Sequence, residues 1–493
     1  MANASGPASE NLHQGDFVHS PSTAEYKISL HGNEGELAYR STKGSGEESQ
    51  RRLLYFLGSG HLGTTYLYMI GDFLFESPIA WYAPSQAYDM KPGLAEIDSI
   101  PPPLPMQSGC LRCHMSSVQA SDPGTINHYR ALPFLHSGIT CESCHGDSRK
   151  HVESNGKDVI VNPARLKPDQ RDSVCISCHL EGDVTVRRNG HAVLDYRPGE
   201  SISTYLAFYD RAGANLADRA VSEVEQLGQS TCKRVSGESM SCMSCHDPHY
   251  TPDASHRVAF FRSKCLACHN QPEFAATHHP ENRDCTVCHM PRSGARNVLH
   301  VAWTDHRIRK QPANTISPDS LQGGELTPVF SPNASKRDLA VANYEALLEG
   351  ERSREPVVWK QLNELRDEIR NDKDALDALG NVSAERREYA EAEQCFRRVL
   401  ELDPVDLTAQ SNLGILLARE GKLKESQNLL QTAFDRNHDV PGLAKNLARV
   451  QCMAGDVQAA RATLTAALTF GPGLGDLQQL LTELGDCHSA ATP

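Results

Sequence analysis

The pattern Cys-x-x-Cys-His occurs six times in this chain, at Cys110/Cys113/His114, Cys141/Cys144/His145, Cys175/Cys178/His179, Cys242/Cys245/His246, Cys265/Cys268/His269 and Cys285/Cys288/His289. It uses 12 of the 16 cysteines, and every CxxC is followed by histidine. At the histidine frequency of this chain, six of six by chance is roughly one in 10⁸, so the pattern points to covalently attached c-type haem. The spacing has a chemical reason. Two thiols one helical turn apart lie on the same face and add to the two vinyl groups of one haem. The next residue then sets its imidazole under the iron as proximal ligand. Structural zinc is the competing reading, but zinc knuckles pair two CxxC halves and need no histidine after each. A disulfide framework or a thioredoxin-like redox motif leaves the histidines unexplained.

Each six-coordinate haem needs a second axial ligand. The chain has 22 histidines, and the surplus in or near the haem segment includes His128, His136, His151, His191, His249, His256, His278, His279, His300 and His306. A surplus on this scale favours bis-His coordination and low-potential electron carriers. Taken singly, any one of them could equally be a surface or propionate-contacting residue. Met115 and Met290 follow proximal histidines directly and cannot reach back to the same iron. His61 is a better candidate than His13, His19 or His31, because its loop, Gly58-Ser59-Gly60-His61, is tight and follows a strand-like run. His438 and His488 lie far along the chain, in its helical part.

Composition agrees with a cofactor-filled interior. At 493 residues the length suits about three domains, yet hydrophobic content is only 39% and net charge is −13. No stretch is basic enough for a nucleic-acid groove. The most apolar segment, Thr64–Tyr82, is interrupted by Asp72 and Glu76 and reads as strands rather than a membrane span. The N-terminal MANASGPASE has neither a basic n-region nor an apolar core, so it is no signal peptide.

The chain reads as multidomain. Residues 1–105 form a small, mostly antiparallel β unit joined to the cytochrome segment, with strands near Tyr26–Leu30, Glu36–Arg40, Arg52–Leu57, Thr64–Ile70 and Phe73–Phe75. Residues 106–312, rich in Cys, His, Gly and Pro, form an irregular haem-packed domain with one plausible helix, Ala217–Gln229. Residues 313–336 are a linker, and residues 337–487 are all-α.

The helical part repeats every 34 residues. Leu379-Gly380, Leu413-Gly414 and Leu447-Ala448 are in register, as are Ala392, Ser426 and Ala460. Phe396, Leu430 and Leu464 follow, then Val399, Ala433 and Ala467, and Pro404, His438 and Pro472 close the units. Small residues where two helices cross, at this period, resemble the tetratricopeptide repeat. Leu339–Arg370 adds flanking helices and Asp476–Leu484 a capping helix.

The stretches CESCHGDSRKH (Cys141–His151), CMSCHDPH (Cys242–His249) and CTVCHMPR (Cys285–Arg292), with TDHRI (Thr304–Ile308) and GSGHLGTTYLY (Gly58–Tyr68), resemble multihaem c-type cytochromes related to the hydroxylamine-oxidoreductase class. Many of these carry C-terminal tetratricopeptide repeats. The resemblance implies that His151, His249 and His306 are distal ligands to neighbouring haems, with His300 and His61 next in line and then His136. Three departures stand out. The family pattern CHGPG is replaced by His145-Gly146-Asp147-Ser148. A histidine expected in the helix before the fourth motif is absent from Val221-Ser222-Glu223-Val224-Glu225-Gln226, which leaves one haem without a ligand from that helix. Relatives also begin with a secretory signal and a further CxxCH, so this chain reads as starting inside the domain, with a seventh haem upstream. Because haem is attached to CxxCH outside the cytoplasm, the expected compartment is the periplasm or the cell exterior.

Four cysteines lie outside the motifs. Cys452 and Cys487 are almost one repeat apart and could form a disulfide or be two small buried residues. Cys395 lies in the repeats, and Cys232 stands near the fourth motif. Two functions are expected from the whole. One is electron transfer along closely packed haems, with the repeats docking a redox partner or another copy of the chain, end-to-end filaments included. The other is an oxidoreductase acting on a small nitrogen or sulfur compound at one open-coordinate haem.

Overall fold

The computed structural model describes residues 4–41, 48–59, 62–213, 221–271, 273–274, 278, 284–294, 302–310, 324–330, 335–471 and 473–484. The fold is multidomain, with a β-rich N-terminal region and an all-α, repeat-built C-terminal region. It divides into two compact units that do not follow chain order. One comprises Met1–Ala4, Arg112–Ser117 and His136–Pro332; the other comprises Ser5–Leu111, Val118–Leu135 and Asn333–Pro493. The β-rich residues are thus grouped with the repeats, and the boundary falls inside the first CxxCH motif.

The β-rich region is one antiparallel sheet. Its strands are β1 (Ser5–Pro7), β2 (Gly15–His19), β3 (Ala24–His31), β4 (Glu34–Ser41), β5 (Glu48–Leu57), β6 (Gly63–Ile70), β7 (Phe73–Glu76), β8 (Ile79–Tyr82), β9 (Ala87–Met90) and β10 (Leu104–Pro105). The main path runs β10-β7-β6-β5-β4-β3-β2; β1 pairs with β5, and β8 pairs with β6 and β9. The β3–β4 hairpin closes on Gly32-Asn33, with His31 opposite Glu34. Gly32 has φ +63°, which a two-residue hairpin turn requires. Alternation along β3 buries Ala24, Tyr26 and Ile28 while Lys27 faces water, the period-two pattern of a half-buried strand.

The repeats explain their own period. Helices Lys373–Glu385 and Tyr389–Leu402 form the first pair, Leu407–Arg419 and Leu423–Phe434 the second, Pro441–Met453 and Val457–Leu468 the third. A Cβ on Gly380 would stand 2.7 Å from Phe396, and one on Gly414 would stand 2.6 Å from Leu430. In these two units the glycine is therefore where the partner helix seats a large apolar side chain. Ser426 Oγ donates to the Gly414 carbonyl at 2.6 Å, fixing the same crossing with a buried hydrogen bond. Asp372, Asp406 and Asp456 cap their helices by accepting from Ala375, Ala409 and Ala459 backbone N–H groups, each cap supplying about 1 kcal/mol. Two flanking helices, Lys336–Leu348 and Glu355–Glu364, precede the repeats, and Gly475–Glu483 follows them. Arg337 ties the first of these to the first repeat through Asp372 at 2.6 Å. Cys452 is disulfide-bonded; Cys487, the partner expected from the sequence, lies outside the described residues.

The loops that close successive repeats meet the other parts of the same unit. Asn437 Nδ2 donates to the Gly124 carbonyl at 2.8 Å. Phe470 enters the core of the sheet, edge-on to Phe73 at 5.2 Å. Arg51 donates to the Phe470 carbonyl at 3.3 Å.

The other unit is built from short helices and two small sheets. Val184–Arg187, Leu206–Arg211 and Leu326–Pro328 make a three-stranded antiparallel sheet, and Arg292–Gly294 pairs with Ala302–Thr304. One apolar cluster in it gathers Ile176, Leu180, Ile202, Leu206 and Phe208. Among the described residues no helix is long and apolar enough to cross a membrane.

Candidate functional site

Five of the CxxCH segments fold as a helical turn. His145, His246 and His269 each donate their backbone N–H to the carbonyl of the first cysteine of their motif, at 2.8, 3.0 and 3.0 Å. That bond is one α-turn, and it brings both thiols and the imidazole to one side. The third motif ends the helix Pro168–His179, and the sixth is the helix Cys285–His289, capped by Asp284. The first motif departs from this pattern. Its helix, Ser108–Leu111, stops before Cys113, and His114 sits in the turn that follows. The reason is the strand Met115–Val118, which begins at the next residue and draws the chain into extended pairing with Phe134–Ser137.

Thiols of different motifs lie against one another. Cys175 and Cys242 share a hydrogen bond that raises the pKa of the first and lowers that of the second to about 7. Cys178 is likewise hydrogen-bonded to Cys113, which lowers it to about 6. One thiol in each pair is thereby biased towards thiolate, the reactive form. Cys265 lies against Cys285, and burial pushes Cys265 up to about 11. Cys268 and Cys288 differ from the packed interior that the sequence suggests: both are exposed, as are Cys110 and Cys141. The fifth and sixth motifs meet through their first cysteines, and the second thiol of each lies one turn beyond that contact.

Side-chain contacts fix the spacing of these segments. Lys233 donates to the Met240 carbonyl at 2.5 Å and pairs with Asp172 at 3.6 Å, joining the helix of the third motif to the approach of the fourth. Ser116 Oγ bonds Gly138 O at 2.8 Å and Ser143 Oγ at 2.7 Å, joining the first motif to the second.

The imidazoles come in facing pairs. His145 and His249 have ring centroids 6.0 Å apart and planes 15° from parallel. His246 and His306 stand at 6.3 Å and 25°, and His278 and His289 at 5.9 Å and 24°. An imidazole–metal bond of about 2 Å on each side, plus the ring's own radius, separates two such centroids by about 6 Å. The pairs thus have the spacing of two rings on opposite sides of one metal ion.

Ring orientation is held from behind. Nδ1 of His145 bonds Val161 O at 2.6 Å, that of His289 bonds Arg309 O at 2.6 Å, and that of His306 bonds Thr304 O at 2.8 Å. Each bond commits Nδ1 and leaves Nε2 to bind a metal. Gln226 Oε1 accepts the backbone N–H of His306 at 2.8 Å. The neighbouring Asp305 carboxylate is gripped by Arg307 at 2.8 Å through both oxygens. Asp247 Oδ1 accepts the backbone N–H of His249 at 2.9 Å. Burial, with His306 close by, holds the His246 imidazole below its ordinary pKa, in the neutral form that metals take.

The other expected ligands stand apart from these pairs. His151 is anchored through Nδ1 to Asp158 O at 2.7 Å, and His136 is exposed on Phe134–Ser137; neither faces another imidazole among the described residues. His61 and His300 lie outside the described residues. His114, half-buried with its Nδ1 closed off from solvent, belongs to none of the three pairs, and its turn sets it apart from the helical motif histidines. His278 was one surplus histidine among many in the sequence, with only its place in the pair His278-His279 ahead of the sixth motif to mark it. His179 faces a carboxylate: Glu223 Oε2 stands 3.9 Å from its Nδ1.

The residues fit c-type haem in their donor chemistry, with paired thiols on one turn, an adjoining imidazole and a second imidazole facing it. Among the described residues, no three His, Cys, Asp or Glu side chains converge to hold a bare metal ion.

Comparison with known proteins agrees in outline. Residues 93–146, which span the first two motifs, match the family described as cytochrome c554 and c-prime. Residues 373–404 and 417–474 match tetratricopeptide repeats. No curated protein matches the chain. Solved structures similar to it include MamA from Desulfovibrio magneticus RS-1, 19% identical over 32% of this chain and 90% of that one, TM-score 0.28. A thermophilic TPR protein of Thermus thermophilus is 15% identical over 30% and 80%, TM-score 0.27. The first TPR of Spaghetti (RPAP3), bound to an HSP90 peptide, is 16% identical over 23% and 93%, TM-score 0.22. This chain is therefore similar to a cytochrome in the segment of its first two haem motifs and to tetratricopeptide-repeat proteins at its C-terminal end.

Proposed function

We propose that this protein is a multihaem c-type cytochrome that carries electrons along six closely packed haems. Bound c-type haems supply one-electron transfer between neighbouring irons. The observation that carries the reading is the set of three imidazole pairs at 5.9–6.3 Å, each joining the proximal histidine of one motif to a histidine outside it. His145, His246 and His289 would hold the irons of their own motifs, and His249, His306 and His278 would supply the second imidazole to each. His114, His179 and His269 are the proximal ligands of the first, third and fifth motifs, and His61, His136, His151 and His300 remain candidates for the distal positions there. The exposed thiols Cys268 and Cys288 complete the attachments of the fifth and sixth haems.

The thiol contacts support a connected array. Cys178 adjoins Cys113, Cys175 adjoins Cys242, and Cys265 adjoins Cys285, so the third attachment point lies between the first and the fourth. The sequence motifs support a relation to the hydroxylamine-oxidoreductase class and a place in the periplasm or outside the cell. Tetratricopeptide repeats generally mediate protein–protein contact, and here they would dock a redox partner or another copy of the chain.

A second reading, an oxidoreductase for a small nitrogen or sulfur compound, is favoured by one observation: His179 faces the Glu223 carboxylate at 3.9 Å, whereas His145 and His289 bond backbone carbonyls and face imidazoles. EPR and carbon monoxide binding on the purified holoprotein separate the two. All-low-spin haems that bind no carbon monoxide support the carrier; a high-spin haem that binds it supports the oxidoreductase.

A further inference from the structure

We propose that Glu223 is a positioning residue for His179 and makes the haem attached at Cys175 and Cys178 the lowest-potential member of the array. The inference rests on the haem reading above. Glu223 opens the helix Glu223–Gln229. Its Oε2 is closed off from solvent and has no hydrogen-bond partner among the described residues. It stands 3.9 Å from His179 Nδ1. A buried carboxylate oxygen left unmatched is costly, and the Nδ1–H of His179 is the donor that faces it. A small rotation of either side chain closes the gap and leaves Nε2 for the iron.

The contrast with His145 and His289 gives the contact its consequence. His145 and His289 direct Nδ1 at neutral backbone carbonyls, Val161 O and Arg309 O. A carboxylate draws the Nδ1 proton harder than a carbonyl, makes the imidazole more basic and favours ferric over ferrous iron. The third attachment point also adjoins both Cys113 and Cys242. A low-potential centre there governs how readily the two sides of the array exchange electrons.

The test is a spectroelectrochemical titration of the full-length holoprotein, native and with Glu223→Gln or Glu223→Asp, alongside EPR and pyridine haemochrome analysis. In Glu223→Gln the lowest midpoint rises by roughly tenfold in the ferric/ferrous equilibrium, about 59 mV for a one-electron couple, and one low-spin EPR component shifts. Glu223→Asp keeps the charge and moves the same midpoint less. An unmoved lowest midpoint overturns the proposal, and so do equal shifts in both variants, which mark a packing role. Should Glu223→Gln lose haem, Glu223→Asp decides alone: a raised lowest midpoint supports the proposal and an unchanged one overturns it. A native protein without haem sinks the haem reading itself, a result distinct from an unmoved potential.

Discussion

The imidazoles of His145 and His249 lie 6.0 Å apart with planes 15° from parallel, although they belong to the second motif and to the segment after the fourth. His145 is aimed by Val161 O, and His249 by the Asp247 side chain on its backbone N–H. On our reading they clasp one iron, and His246 of the neighbouring motif clasps another with His306.

Replacing His249 by alanine therefore removes an axial ligand without touching an attachment. Visible and EPR spectra are expected to show one haem in six turned high-spin, with haem content unchanged. His246→Ala must affect a different haem. Spectra in which the two substitutions alter the same haem would break the pairing.

Asp439 carries a pH dependence of stability. Its side chain is buried beside Asn127, and burial raises its carboxyl from 3.8 to about 6. The folded state thus favours the protonated acid. The associated stability is fully present below about pH 4 and is lost as pH rises through about 6, for at most about 3 kcal/mol. Asp439→Asn should match the native protein in urea unfolding at pH 4 and exceed it at pH 8. Equal stability at both pH values would contradict the assignment.

Gly414→Val tests the helix crossing in the second repeat. A Cβ at that position meets Leu430 at 2.6 Å, so overpacking should cost about 1–3 kcal/mol. Thermal melting followed by far-ultraviolet circular dichroism would read it, with the haem bands unaffected.

Phe470→Ala tests the shared core of sheet and repeats. Phe470 is buried against Phe73 and Phe75, and its truncation should cost about 3 kcal/mol. Limited proteolysis would then cut between sheet and repeats faster than in the native chain.

Much of the fold was legible because it rests on short-range pattern. The five expected strands correspond to β3 to β7, where alternation and glycine turns are strong. β2 and β9 escaped because they are short and mix polar with apolar residues. The repeats were legible because Gly380 and Gly414 sit where Phe396 and Leu430 must pack. In the site the motifs were legible, and the family resemblance singled out His249 and His306, which do face imidazoles of other motifs; which imidazole each one meets was not legible. CxxCH spacing is local chemistry, whereas the meeting of His278 with His289, or His145 with His249, depends on chain paths between the motifs. His114 shows the same limit locally: its motif reads like the other five, but the strand that starts at Met115 ends its helix early. The grouping of the sheet with the repeats draws on loop residues such as Phe470 and Asn437, which no periodicity marks. The helix expected over Ala217–Gln229 begins at Glu223, after a non-helical Val221 and the N-cap residue Ser222; residues 214–220 lie outside the described residues.

The most direct test of the central claim is the haem content of the purified native chain, measured by pyridine haemochrome against protein mass. Six haems per copy of this chain, one for each CxxCH, is the predicted result. A chain with no haem, or with zinc held by the same cysteines, would contradict it.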